Sequence, residues 1–428
     1  MVYVINQLGQ PLMPTKDHRK VRLLLNQGLA KVVRRTPFTI QLLTRVKSYV
    51  QPITLGVDAG SKHVGIEAST ETEELFKAEL QPRNDVVSNL STRRQNRRAR
   101  RNRKRRYRKP RFKNRVHSKH KGWLAPSVEV KIHNHIQVIR LVTKILPIGL
   151  IRVETAEFDL QRLKAMNEGN PLPVSTDYQQ GEMYDEYNVR QYVLHRDDYK
   201  CRCCGCSPTD KKPIKLHVHH LESRKTGGNA PNNLITLCES CHKAYHDGLI
   251  ELPEKAKRNK PLRDATFMGI MRKTLMQRLW NEFNIRIQET YGYITKAIRE
   301  KNGIVKTHTS DARCIARHPN AKPSDVQFLI KPVRSHNRQI HKMKINKGGT
   351  RKLNQLPKYV FDFRLFDKVR YKNIECFIFG RRTKGAFDIR LLDGTKIKEP
   401  SYKKLTLLER SSNLLIERRR QGNAKIVP

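Results

Sequence analysis

Residues 201–246 read CRCCGCSPTDKKPIKLHVHHLESRKTGGNAPNNLITLCESCHKAYH. Two cysteine pairs, Cys201-x-x-Cys204 and Cys238-x-x-Cys241, bracket the stretch, and His219, His220, Asn233, His242 and His246 lie between or just after them. Paired CxxC motifs at such a gap are a zinc signature. Four thiolates close a tetrahedral site and let a small unit with little apolar core fold at all. Cys203 and Cys206 stand beside the first pair, so the choice of ligands there is open. His242 and His246 are four apart; on a helix they share one face and can bind one metal. A zinc knuckle that only binds nucleic acid would need neither the His-His pair nor the second histidine pair beyond the cysteines.

His-His, an Asn followed by Leu, and then CxxCHxxxH together resemble the ββα-metal nuclease motif called HNH. The resemblance implies that His219 binds a divalent ion, Mg²⁺ or Mn²⁺, and that His220 is the general base. It implies further that Asn233 orients His220 and that His246, with His242 beside it, completes the metal shell. Phosphodiester hydrolysis agrees with this set on its own terms. It needs a deprotonated water and a cation near the phosphate, and imidazole is the side chain that titrates near neutral pH.

Outward from this stretch the chain is strongly basic. Lys and Arg number 87 against 39 acidic residues, a formal net charge of +48. Such self-repulsion calls for a polyanionic partner, and nucleic acid is the expected one. No apolar run approaches the roughly 18 residues of a membrane span, and the N-terminus lacks the apolar core of a signal peptide. Eight cysteines, at least four in zinc spacing, suit a reducing compartment. The expected location is therefore the cytoplasm, with no membrane partner. Charge alone does not make an enzyme, since packaging proteins are as basic.

The densest charge lies in Thr92–Lys121, TRRQNRRARRNRKRRYRKPRFKNRVHSKHK, with 17 Lys or Arg and no acid in 30 residues. As a helix, residues 92–108 would be about 25 Å long with arginine on every face. Arg93, Arg94, Arg97, Arg98, Arg100, Arg101, Arg103, Arg105, Arg106 and Arg108 leave no side for a protein core, so the rod fits a surrounding of phosphates. Before it, VYVIN reads as a strand, Lys16–Gly28 as a helix and Phe38–Leu43 as a second strand. Ile53–Ser69 reads as a strand ending in Asp58, a glycine turn and another strand. After the arginine run, Val128–Leu146 is an expected helix, and Ile148–Val153 is a short buried strand with Glu154 at its end. Glu157 and Asp159 are rival acids there. Phe267–Phe283 is helical, and His308 and Asp311 precede another apolar helical stretch, where Thr309, Ser310 or Asp311 suits a helix cap. Beyond the basic segment Lys331–Lys352, runs at Tyr359–Phe366, Asp367–Tyr371, Glu375–Phe379 and Ala386–Leu392, with a turn at Asp393-Gly394, read as the short strands of a small barrel or sandwich.

The order of these parts resembles the IscB family, transposon-encoded RNA-guided nucleases related to the type II CRISPR effector nucleases. Pro11–Pro14 is the PLMP tetrapeptide that names that family's N-terminal domain; Asp58, Glu154 and the His308-x-x-Asp311 pair stand where its three RuvC segments place their residues. The implied fold is multidomain α/β: a ribonuclease-H-like RuvC core split in three, an inserted ββα-metal HNH domain, an arginine-rich bridge helix and a C-terminal β-rich module. Expected boundaries are 1–50 for the PLMP domain, 51–91 for the first RuvC segment, 92–121 for the bridge and 122–160 for the second RuvC segment. A linker at 161–190, the HNH domain with its zinc site at 191–254, the third RuvC segment at 255–328 and a C-terminal target-adjacent-motif and RNA-binding domain at 329–428 follow. Asp58, Glu154 and Asp311 would hold Mg²⁺ (or Mn²⁺), with His308 as base or orienting group. The CRISPR relatives tend to carry Asp where His219 stands, which leaves the metal at that centre open. The implied activity is metal-dependent DNA cleavage directed by a noncoding omega RNA, in a monomeric ribonucleoprotein acting on duplex DNA beside a short motif. HNH would cut the guide-paired strand and RuvC the displaced one. Two other readings are a protein-guided HNH or RuvC endonuclease and a non-cutting RNA-binding scaffold.

Overall fold

The computed structural model describes residues 1–44, 49–101, 122–155, 171, 188–209, 213–223, 231–253, 263–334 and 357–420. The chain divides into two compact units, Met1–Phe158 with Met268–Pro428, and Asp159–Phe267.

The first unit opens with β1 (Tyr3–Ile5), α1 (His18–Asn26), β2 (Ala30–Arg34) and β3 (Thr39–Leu42). These make a three-stranded sheet in the order β1-β3-β2. Asp17 caps α1 by accepting from the Lys20 N–H at 2.9 Å, and Val21 seats the helix on Val4, Leu12 and Ile40. The sequence reading gave one strand after α1, and there are two. Lys31, Val32 and Val33 of β2 are all exposed, so the strand lacks the alternation that marks a half-buried strand.

Next come β4 (Thr54–Asp58), β5 (Val64–Ser69), β6 (Glu74–Leu80), α2 (Val86–Arg101), α3 (Pro126–Thr143) and β7 (Leu150–Thr155). The second unit carries α4 (Val189–Arg196), β8 (Leu216–His220), β9 (Leu234–Cys238) and α5 (Glu239–His246). Then follow α6 (Arg263–Glu282), β10 (Arg286–Tyr291), α7 (Gly292–Lys301), α8 (His308–Ala316) and β11 (Val326–Pro332). The chain closes with β12 (Lys368–Tyr371), β13 (Ile374–Arg381), β14 (Phe387–Arg390), β15 (Lys396–Lys398), β16 (Leu405–Glu409) and β17 (Leu414–Arg420).

A seven-stranded sheet in the order β10-β7-β4-β5-β6-β11-β17 is the core of the first unit. β4, β5 and β6 form an antiparallel meander, and β7 and β10 extend it in parallel on one side. On the other side β11 runs parallel to β6 and pairs antiparallel with β17. β17 thus returns from the last residues of the chain to the central sheet, across the span read as a separate C-terminal module. That module is a five-stranded antiparallel sheet, β15-β14-β13-β12-β16, around Val369, Ile378, Phe387 and Ile389. Tyr359–Phe366, expected as a strand, holds only the bridge Val360–Phe363. Phe361, Asp362 and Phe366 have positive φ, which breaks an extended run. β12 starts one residue late because the buried Asp367 carboxylate accepts from the Arg364 and Ser411 N–H groups, each at 2.8 Å.

α8 lies against β4 and β5. Thr307 caps it through a capping box: its hydroxyl accepts from the Ser310 N–H at 3.0 Å, and the Ser310 hydroxyl accepts from the Thr307 N–H at 2.7 Å. The cap is therefore Thr307, ahead of the three residues that the sequence offered. Arg317, in the left-handed region at φ 64°, ends the helix. Small residues let it approach the sheet, with Ala312 and Ala316 buried on its inner face. A Cβ at Gly56 would overlap the Ala312 carbonyl oxygen, and one at Gly65 would overlap that of His308. Backbone cannot swing aside as a flexible side chain can, so Gly65→Ala must lift the start of α8 from the sheet. We expect a loss of about 1–3 kcal/mol. Hydrogen exchange should show faster opening of α8 with β9 amides unchanged; unaltered protection of α8 would disprove the tight contact.

Candidate functional site

In the second unit β8 and β9 form a hairpin with Leu216 opposite Cys238 and His220 opposite Leu234. α5 follows β9 directly, capped by Cys238, whose Sγ accepts from the Cys241 N–H at 3.4 Å. This ββα arrangement gathers His219 from β8 with His242 and His246 from α5, their ring nitrogens all within 4.8 Å of one another. The His219 ring meets those of His242 and His246 edge-on at 5.0 and 5.1 Å, and His242 meets His246 at 4.7 Å. His217, two residues before His219, stacks on His242 at 5.0 Å and has a buried Nε2 without a hydrogen-bond partner. It was missed in the sequence, although its two-residue offset from His219 puts both on one face of the strand.

Burial and the neighbouring imidazoles hold His219 down to about 4, and burial with His246 and His217 lowers His242. Both are thereby kept neutral, the form that donates a lone pair to a metal. Three convergent imidazoles fit a divalent ion. His220 ends β8 and is not among the converging nitrogens. Asn233 uses its side chain on the backbone of Glu222, accepting from its N–H at 2.9 Å and donating to its carbonyl at 3.1 Å. It thereby fixes the chain that leaves His220, from two residues further on.

The thiols of the same unit also converge. Sulfurs of Cys201, Cys204, Cys206 and Cys238 lie within 4.8 Å of one another. Cys204 and Cys206 are 3.2 Å apart, and Cys204 and Cys238 are 3.7 Å apart. Cys241 joins them through thiol contacts with Cys238, Cys204 and Cys201. Hydrogen bonds from the Cys206 N–H and thiol hold Cys204 down to about 6, a thiolate in waiting for a cation. Cys203 is exposed and outside the group. A set of four cysteine sulfurs suits structural Zn²⁺, and the three histidines suit a catalytic divalent ion.

The first unit holds a second constellation at one end of its sheet. Asp58 ends β4, Glu154 lies within β7 rather than after it, and α8 contributes His308 and Asp311. His308 Nδ1 lies 2.8 Å from Asp58 Oδ2, and this hydrogen bond raises the imidazole's pKa. An ionised carboxylate only accepts, so Nδ1 carries a proton, and in the neutral ring Nε2 is then the free base. The Thr295 hydroxyl donates to Glu154 Oε2 at 2.7 Å, and Arg272 lies 3.9 Å from Oε1. Burial raises the Glu154 carboxyl, and the Asp58 and Asp311 charges add to it. Burial and then Asp58 raise Asp311 likewise, with Arg299 Nε at 3.1 Å opposing. That contact lacks hydrogen-bond geometry, and Asp311 Oδ1 is buried without a hydrogen-bond partner. Two raised carboxylates beside Asp58, one with an orphaned oxygen, fit a divalent cation that would relieve both.

Several members of this centre had no signal in the sequence. His63, in the turn before β5, stacks on His308 at 5.3 Å with ring planes 7° apart and bonds Glu79 at 2.7 Å. Arg272, Thr295 and Arg299 arrive from α6 and α7. Glu157 and Asp159, the rival acids, lie outside the described residues.

α2 begins at Val86, six residues before the arginine run. Arg93, Arg94, Arg97 and Arg98 on it are all exposed. Arg103, Arg105, Arg106 and Arg108, and the side chains of Arg100 and Arg101, lie outside the described residues. Among the described residues no helix is long and apolar enough to cross a membrane.

Two known families match parts of the chain. Residues 2–181 match the RRXRR protein family, and residues 201–248 match the HNH endonuclease family. An HNH domain with clustered Cys and His ligands is the mark of a metal-dependent nuclease. A 70-residue stretch is 31% identical to anaredoxin of Nostoc sp., covering 16% of this chain and 86% of that protein. Among solved structures, Streptococcus thermophilus Cas9 in complex with the GGAA PAM is similar at TM-score 0.31 and 13% identity. That match covers 51% of this chain and 29% of the Cas9 chain. The type II-C Cas9 from Actinomyces naeslundii gives TM-score 0.16 and 16% identity over 47% of this chain and 33% of its own. The chain thus spans about a third or less of these solved relatives.

Five thiols around a four-coordinate ion leave one in reserve. Cys206→Ser and Cys241→Ser should each retain one zinc per chain by elemental analysis, and the double variant should lose it to a chelator. Loss of zinc from Cys241→Ser alone would make Cys206 a bystander and the two CxxC pairs the whole site.

Proposed function

We propose that this chain, which has the IscB-type architecture of an RRXRR domain with an inserted HNH domain, is an RNA-guided DNA endonuclease with one metal centre for each target strand. The observation that carries the reading is the presence of two unrelated ligand constellations in separate compact units. One is the imidazole cluster of the HNH hairpin; the other is the carboxylate set of the seven-stranded sheet. A single-centre nuclease has no use for the second, whereas an enzyme that cuts both strands of an opened duplex has one for each.

In this reading the seven-stranded sheet is a RuvC core split in three, with α2 as the start of the bridge and the second unit as the HNH insert. An omega RNA occupies the bridge and the basic surface, its guide pairs with one DNA strand, and base pairing supplies most of the specificity. The exposed arginines of α2 fork onto phosphates, which carries affinity without sequence. The complex is a monomeric ribonucleoprotein that reads a short duplex motif beside the target.

At the HNH centre His219, His242 and His246 would hold the divalent ion, and Asn233 steadies the chain beyond His220. His220 takes the proton from the water that attacks the guide-paired strand. At the RuvC centre Asp58, Glu154 and Asp311 would hold cations. Asp58 keeps the His308 proton on Nδ1, so Nε2 accepts the proton of the water that attacks the displaced strand. Arg272, Thr295 and Arg299 hold the carboxylates in place. The cations, when bound, stabilise charge on the scissile phosphate and acidify water.

Strand-specific labelling of a target duplex tests the division of labour. Asp58→Ala should leave a nick in the guide-paired strand, and His220→Ala a nick in the displaced strand, each slower than wild type at the lost cut by about 10²-fold or more. Loss of both cuts from either change would mean that one centre serves both strands. Cleavage that needs no RNA would favour a protein-guided nuclease, and RNA binding with neither cut would favour a scaffold.

A further inference from the structure

A cavity of about 330 Å³ opens in the first unit where the N-terminal sheet, the β6-β11-β17 side of the central sheet and the C-terminal module meet. It is remote in the sheet order from β4 and β7, which carry Asp58 and Glu154, and neither candidate centre uses it. Its wall has two characters. Phe76 and Phe328, neighbours on β6 and β11, stack at 5.3 Å but are only 1% and 6% exposed, so the half-buried Phe38 is the ring of the lining that a ligand can reach. Facing them are three cations, Arg35, Lys368 and Arg418, and one carboxylate, Glu375. Glu375 is shared, bonding Lys368 at 2.9 Å and Arg35 at 3.3 Å. Three positive charges against one negative leave the lining with a surplus of two.

Lys368 is 4% exposed, and its ammonium also donates to the Thr36 hydroxyl at 3.0 Å. Arg418 is exposed at the mouth and has no ion-pair partner among the described residues. Glu375 already answers Lys368 and Arg35, so Arg418 is the cation left for an incoming anion. An apolar ligand would leave Arg418 unanswered, and a bare phosphate would leave Phe38 unused. A base joined to a phosphate answers both, through ring contact on one side and charge-assisted hydrogen bonds on the other. The volume sits at the lower end of small-ligand sites, about 300–1,000 Å³, which admits one nucleotide and no stacked helix.

We propose that this cavity takes a single unstacked nucleotide of the bound RNA, its base against the Phe38 side and its phosphate on Arg418. The inference rests on the reading of the chain as an RNA-binding protein and adds a place where three modules grip one residue of that RNA. Such a contact would make RNA binding and the packing of the N-terminal sheet, the central sheet and the C-terminal module mutually dependent.

The test irradiates the full-length chain with its co-purifying RNA at 254 nm and maps nucleotide adducts on peptides by mass spectrometry. Adducts are expected on the peptide holding Phe38 as well as on the arginine-rich segment Thr92–Lys121. Arg418→Glu should reduce the cavity adducts roughly tenfold, a loss on the scale of one base contact, while leaving those of the arginine-rich segment. Arg418→Lys, which keeps the charge, should restore most of them. Adducts on the arginine-rich segment alone, or cavity adducts indifferent to Arg418→Glu, would overturn the cavity site and leave RNA binding standing. No adduct anywhere would overturn both.

Discussion

The candidate centre of the first unit depends on how closely a short helix can lie on a sheet. His308 and Asp311 lie some 250 residues from Asp58 in the chain, and α8 carries them to it. The helix reaches that depth because β4 and β5 present hydrogen atoms where other residues would present a Cβ, at Gly56 and Gly65. Ala312 and Ala316 meet them from the helix side. The capping box at Thr307 and Ser310 then fixes where the helix begins, and hence which residue stands first. That residue is His308, 2.8 Å from Asp58. Packing, capping and proton-transfer geometry are therefore one constraint seen at three scales.

The electrostatics of the two units follow opposite logics. In the second unit, burial and crowding lower His219 and His242, so these two are ready for a metal without a prior loss of protons. In the first, burial and crowding raise Glu154 and Asp311, so these two resist ionising until something positive is near. Arg272 and Arg299 meet part of that demand within the protein. A chain with a net charge of +48 has many cations to station beside its own acids. The same arginines limit how far the carboxylates repel one another, and so keep the centre folded while it waits for its ligands.

The sequence was most legible where chemistry forces spacing. Thiols and imidazoles that share an ion must sit at fixed intervals on a hairpin and helix, so His219, His242, His246 and the cysteine cluster could be read before any coordinates. Asp58 and Glu154 were legible for a weaker reason, an acid at or near the end of an apolar strand. His63, Glu79, Arg272, Thr295 and Arg299 were not legible, because their roles arise from the order in which strands are laid beside one another. His63 meets His308 across 245 residues of sequence. β17 was not read as a strand for the same reason: it is β11 that supplies the partner for LLIERRR. At Tyr359–Phe366 the aromatic content implied a strand, and the left-handed backbone at Phe361, Asp362 and Phe366 overrode it.

The difference between the two ligand sets bears on which ions each can use. Three imidazoles form a borderline-soft set that favours later transition metals and binds Mg²⁺ weakly, since Mg²⁺ prefers oxygen and keeps its waters. Carboxylates form a hard set that suits Mg²⁺. His219 stands at the position where an acid would bring the first set back toward oxygen, and His217 beside it adds a further imidazole rather than a charge. Under the proposed division of strands, the two cuts would then respond differently to the ions at hand, with the displaced strand served by Mg²⁺ and the guide-paired strand favouring Mn²⁺. On that proposal the two activities are coupled by one RNA and separated by ligand chemistry.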